Sequence, residues 1–132
     1  MSGEINLDQL LLKMSPVLRE GEYVFCTVGN STYSDYAHAN PIVSIVEQEG
    51  LTLVLLKNAA DQSGLSYDGV FGCITLNVHS SLQAVGLTAA VSAALAEHGI
   101  SANVIAGYFH DHIFVQSELA DRALGILLRL SG

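Results

Sequence analysis

The stretch Thr75-Leu-Asn-Val-His-Ser-Ser-Leu-Gln-Ala-Val-Gly-Leu-Thr-Ala-Ala90 reads as a strand as far as Val78. It then runs through a polar turn, Ser80-Ser81, into an apolar helix carrying Gly86 in its first turns. Such a junction presents backbone N–H groups without intrahelical acceptors at the positive end of a helix dipole. That pole is a natural seat for a small carboxylate. No nucleophile with a partner base stands near it, so binding comes before chemistry.

Working outward, Ser80 to Gln83 fits a capping box, and Gly99-Ile100 supplies a left-handed terminator with an apolar follower. The helix so bounded, Gln83–His98, is apolar nearly all round, because Val85, Leu87, Val91, Leu95 and many alanines leave little polar face. An outward Ala/Val/Leu stripe asks for a covering layer or a partner subunit, and a homodimer is expected. Upstream, Phe71 to Val78 alternates, with Ile74, Leu76 and Val78 on one face and Cys73, Thr75 and Asn77 on the other. Downstream come strands at Asn103–Phe109 and His112–Gln116, a tight turn near His110-Asp111, and a helix from Ser117 to Leu130.

The first half reads similarly. Leu7–Met14 is a short helix stopped by Ser15-Pro16, and Glu22–Val28 is a strand rich in aromatic and β-branched residues. Gly29 to Pro41 is irregular, with Tyr33, Tyr36 and His38 available to close over a ligand or to bury. Strands at Ile42–Val46 and Leu51–Leu56 flank Glu47-Gln-Glu-Gly50, and a brief helix follows at Asn58–Gln62. Alternate glutamates beside a turn, Glu47 and Glu49, are ordinarily solvated. A shift of sixty residues lays Val43–Asp61 over the second half with Ile45/Ile105, Ala60/Ala120 and Asp61/Asp121 identical, and the order strand, strand, helix recurs.

Composition narrows the classes. The chain has 132 residues, half of them apolar, and a formal charge of -8, with Lys57 the sole Lys or Arg between Arg19 and Arg122. Phosphate neutralisation needs clustered cations, so nucleic acid is not an expected partner, and neither is an anionic membrane surface. No run reaches the roughly 18 to 20 apolar residues of a membrane span. The start lacks the marks of a signal peptide, and Cys26 and Cys73 sit among apolar residues, so a reducing cytoplasm is expected.

The order β-α-β-β-α from Phe71 to Leu130 resembles an ACT domain, the ferredoxin-like β-α-β-β-α-β module. The segments Glu49–Val54, His79–Ala89 and Ala106–Val115 are similar to those of small stand-alone bacterial proteins made of two ACT-like units. The last also resembles a segment of the amino-acid-sensing ACT proteins. The resemblance implies an α+β fold of two units with antiparallel sheets and helices on one face. They would be an incomplete N-terminal unit, 1–66, and a C-terminal unit, 67–132, which borrows strand 23–28 as its last strand.

It also implies a regulatory protein that reversibly binds an amino-acid-like effector, passes a change to a target protein, and needs no cofactor. Ser80, Ser81, Leu82, Val85 and Gly86 stand where ACT domains hold the effector, with simple helix capping as the ordinary alternative. Glycine inside a helix costs about 1 kcal/mol against alanine, which close approach of a ligand or backbone would account for. Asp111, at the matching turn beside His110, would pair with an ammonium group; an ordinary turn aspartate is the alternative. Two other classes stay open. One is a metal-assisted hydrolase using His79, His110 and His112, which lacks a supporting carboxylate or cysteine pattern. The other is a purely structural interaction module.

Overall fold

The computed structural model describes residues 6–78 and 86–132. In chain order these form α1 (Leu7–Leu12), β1 (Pro16–Leu18), β2 (Tyr23–Thr27), α2 (Tyr33–Tyr36), β3 (Val43–Glu47), β4 (Gly50–Leu56), α3 (Lys57–Gln62), β5 (Phe71–Leu76), α4 (Leu87–Glu97), β6 (Asn103–Ala106), β7 (Asp111–Gln116) and α5 (Ala120–Ser131). Two compact units result, one discontinuous (Met1–Glu20 with Gly72–Gly132) and one continuous (Gly21–Phe71).

In the discontinuous unit the strand order is β1-β5-β7-β6. Strand β1 pairs antiparallel with β5 through Pro16↔Leu76, Val17↔Thr75 and Leu18↔Ile74. The amide of Arg19 extends the ladder by donating to the Cys73 carbonyl at 2.8 Å. Proline is tolerated here because it is the first residue of a strand. Period-two alternation sends Ile74, Leu76, Ile113 and Val115 to one face, where they meet Leu10 and Met14, Leu87, Val91 and Leu95 of α4, and Ala123, Ile126 and Leu127 of α5. Helices therefore cover that face. The opposite face is also dry at Cys73, Thr75 and Phe114.

Local chemistry sets the helix ends. Asn6 Oδ1 caps α1 by accepting from the Gln9 amide. Helix α4 ends as its sequence predicts: Gly99 is left-handed at φ 73, the Gly99 amide donates to Ala96, and the Ile100 amide donates to Leu95. Its start differs from expectation, at Leu87 rather than Gln83. Its valine and leucines face inward, with Leu87, Val91 and Leu95 buried. The outward side carries Ala89, Ala93 and Ala96, so the expected Ala/Val/Leu stripe is reduced to alanine methyls.

The continuous unit has strand order β3-β4-β2, and Phe71 pairs with Tyr23 on the far side of β2. Val24, Cys26, Leu51, Leu53, Leu55, Ala39 and Ala60 form its core. The segment read as an irregular loop is partly helical. Thr32 and Asp35 form a reciprocal capping box for α2, a 3-10 turn follows at Ala37–Ala39, and Tyr36 packs against the core. The Gly50 backbone is forced: at φ +142 an added Cβ would lie 2.8 Å from the Gly29 carbonyl oxygen.

The compact units meet at Glu20/Gly21 and Phe71/Gly72, so residues upstream of Gly21 join the second half. Residues Tyr23 to Thr27 pair along their length with β4 and meet β5 only through Tyr23↔Phe71. The strand beside β5 is Pro16–Leu18, from further upstream.

Two outcomes follow. A fragment of residues 70–132 lacks both α1 and β1 and is expected to show little cooperative unfolding by circular dichroism, with a peptide of residues 1–20 restoring it. Replacing Gly50 with Ala places a side chain in sparsely populated backbone space and against a carbonyl, so urea unfolding should show a loss of about 1–3 kcal/mol.

Candidate functional site

Ser80, Ser81, Leu82 and Val85, and with them His79, lie outside the described residues. Val78 and Gly86 bound the junction. Gly86 stands at the N-cap of α4, at φ 108 and ψ -30, and its carbonyl accepts from the Ala90 amide at 2.8 Å. It is therefore not a helix-interior glycine; the positive φ is what selects it. A Cβ there would also meet the Leu7 side chain at 3.3 Å, so α1 lies against this end of α4.

The turn between β6 and β7 carries the other candidates. Ala106 pairs with Asp111, and the Gly107 amide donates to the His110 carbonyl at 2.9 Å, leaving Tyr108 and Phe109 exposed at the tip. Their rings meet edge to face, with centroids 4.9 Å apart. His110 Nδ1 lies 3.5 Å from the Val78 carbonyl, which brings the turn beside the end of β5. Asp111 is half-buried at the first position of β7, in the register series of Ile113 and Val115, hence on the helix-covered face. Burial pushes its carboxyl above the usual range, against the pull of His112 and His110. Burial disfavours an isolated anion, and a cationic partner would offset that cost.

His112 belongs to the opposite face. Its Nδ1 lies 2.9 Å from Thr75 Oγ1. Burial holds the ring below its ordinary pKa; Arg19 and His110 add to this, and Asp111 opposes it. Burial likewise raises the Cys73 thiol, with Arg19 and a hydrogen bond from Thr75 acting in the other direction. No motif in the sequence marks Thr75 or Arg19 as a site residue. The polar side of β5 was legible at Cys73, Thr75 and Asn77, but which strand would face it was not. Among the described residues no group of three His, Cys, Asp or Glu side chains could hold a metal ion. His110 and His112 each hydrogen-bond within the protein.

The chain is similar over its length to several solved structures. A Vibrio cholerae protein of unknown function, described as a possible transport protein, is 57% identical, with 96% of each chain covered and a TM-score of 0.87. An Agrobacterium tumefaciens protein is 18% identical, covering 88% of this chain and 87% of that one, with a TM-score of 0.72. The ligand-free regulatory subunit of aspartate kinase from Thermus thermophilus is 10% identical, covering 89% of this chain and 97% of that one, with a TM-score of 0.67, a likeness of fold alone. No curated protein matches the chain. Residues 2–72 and residues 70–129 each match the ACT domain, and the chain thus belongs to the ACT domain family, with two such domains in tandem.

Proposed function

We propose that this protein is a regulatory binder of a small amino-acid-like effector, held where β5 runs into α4. One observation carries the reading: the turn bearing His110 and Asp111 lies against the Val78 carbonyl, at the strand end from which the chain leads to Gly86 and α4. On this reading the half-buried carboxylate of Asp111 supplies one pole of the site, and the α4 start, whose first-turn amides lack intrahelical acceptors, supplies the other. An ammonium group on Asp111 and a carboxylate on those amides complement both poles of a compact zwitterion. Ser80, Ser81, Leu82 and Val85 belong to the same proposal as contacts from the connecting segment. Membership of the ACT domain family supports a regulatory, ligand-binding role over catalysis.

No described helix is long and apolar enough to cross a membrane. Cytoplasmic location, an unidentified target protein and a homodimer belong to the same proposal. The outward methyls of Ala89, Ala93 and Ala96 would let two copies of α4 approach closely. Sedimentation velocity showing only a monomer at working concentration would remove the dimer.

A thermal-shift screen of the twenty amino acids tests the effector. A ligand at about 100 times its Kd adds about 2.7 kcal/mol to native stability, which is a readily measured shift. No stabilisation by any of them would defeat the reading. Asp111→Asn separates function from structure. Because the folded carboxyl is raised, ionisation above that midpoint costs stability, and removing the charge should leave unfolding at pH 7 unchanged or slightly improved. The response to the stabilising amino acid should nevertheless fall at least tenfold. A turn aspartate that merely supports the fold would behave in the opposite way.

A further inference from the structure

We propose that Thr75 and His112 are positioning residues of the effector site, holding the β6–β7 turn and its Asp111 in place, and that His112 does so only while its ring is uncharged. The proposal rests on the effector reading given above and adds the regulation of that site.

The geometry is specific. Among the described residues Thr75 is the buried polar side chain, 8% exposed, on the face away from the helices. Its hydroxyl and His112 Nδ1 meet at 2.9 Å across neighbouring strands. The far edge of the ring lies under the turn, since a Cβ at Gly107 would come within 3.5 Å of His112 Nε2 and within 2.9 Å of the His110 carbonyl oxygen. Glycine at that position admits the His110 carbonyl, while the imidazole lies at ordinary contact distance from the turn. The Gly107–His110 hydrogen bond then fixes the backbone that leads into Asp111. A side chain behind the sheet thus sets the position of a carboxylate in front of it.

Charge makes this support conditional. Among the described residues the ionisable groups around the ring are Arg19, just after β1, with His110 and Asp111 at the turn; Cys73, also within reach of Arg19, lies on β5. A proton on His112 would place a second cation near Arg19 in a half-buried setting, with Asp111 alone opposing it. The folded ring is held below the ordinary value, so the stabilisation it supplies is complete above about pH 6.5 and is lost as the pH falls through the lower folded midpoint.

The test follows the free protein by NMR from about pH 8 to about pH 5. The Gly107 and Asp111 amide signals should move with the midpoint of the His112 ring. At neutral pH, Thr75→Val should speed Gly107 amide exchange at least tenfold, and Thr75→Ser should restore it. The functional arm uses an equimolar mixture of the twenty amino acids as the thermal-shift probe. Thr75→Val should need at least tenfold more of the mixture for an equal shift, again with recovery in Thr75→Ser. Turn amides indifferent to the ring's titration would overturn the inference. So would equal stabilisation of the natural chain and Thr75→Val by the mixture. A mixture that fails to stabilise even the natural chain sinks the effector reading, and the inference with it.

Discussion

Three backbone pairs, Pro16↔Leu76, Val17↔Thr75 and Leu18↔Ile74, close the larger unit around its sheet. A central strand with a bare side would leave a row of unpaired amides and carbonyls beside a buried core. Strand β1 meets that need and brings α1 with it, so Leu10 and Met14 enter the same core as the α4 and α5 residues. The same pairing seats Leu7 against Gly86 and Arg19 beside Cys73. Much of what surrounds the candidate site is therefore supplied by the first twenty residues.

The two units share an order of elements but differ at the corresponding junction. In the continuous unit the end of β2 is zipped to the β3–β4 hairpin. The Val28 amide donates to Leu51, the Leu51 amide donates to Gly29, and Gly50 lies directly on the Gly29 backbone. That hairpin turns in two residues, Gln48 and Glu49, whereas four residues, Gly107 to His110, connect Ala106 and Asp111. The longer turn carries polar groups that the shorter one has no room to present. The recurrence visible in Ala60/Ala120 and Asp61/Asp121 thus preserves the scaffold, while the turns diverge.

Periodicity made most of the fold legible. The alternation in β5, the two strands of the second half and the Gly99-Ile100 terminator are all local signals and are found, although β6 stops at Ala106 rather than Phe109 because Gly107 to His110 form the turn. What escaped was nonlocal. The three residues Pro16–Leu18 carry no strand signature of their own; only the open side of β5 makes them a strand. The helix expected from Gln83 begins at Leu87, four residues later, because Gly86, read as interior, holds a positive φ that a helix cannot contain. Asp111 and His110 were identifiable from the turn, but the Thr75–His112 contact joins residues 37 apart in sequence. No spacing rule announces such a pair.

A discontinuous unit has a timetable as well as a topology. During synthesis the ribosome releases α1 and β1 first, yet their partners on β5, α4 and α5 follow only after some fifty intervening residues have emerged. The continuous unit can meanwhile complete its own core. Strand β1 is thus made well before it can be placed, and until then Leu10, Met14 and Leu18 lack the core they later join.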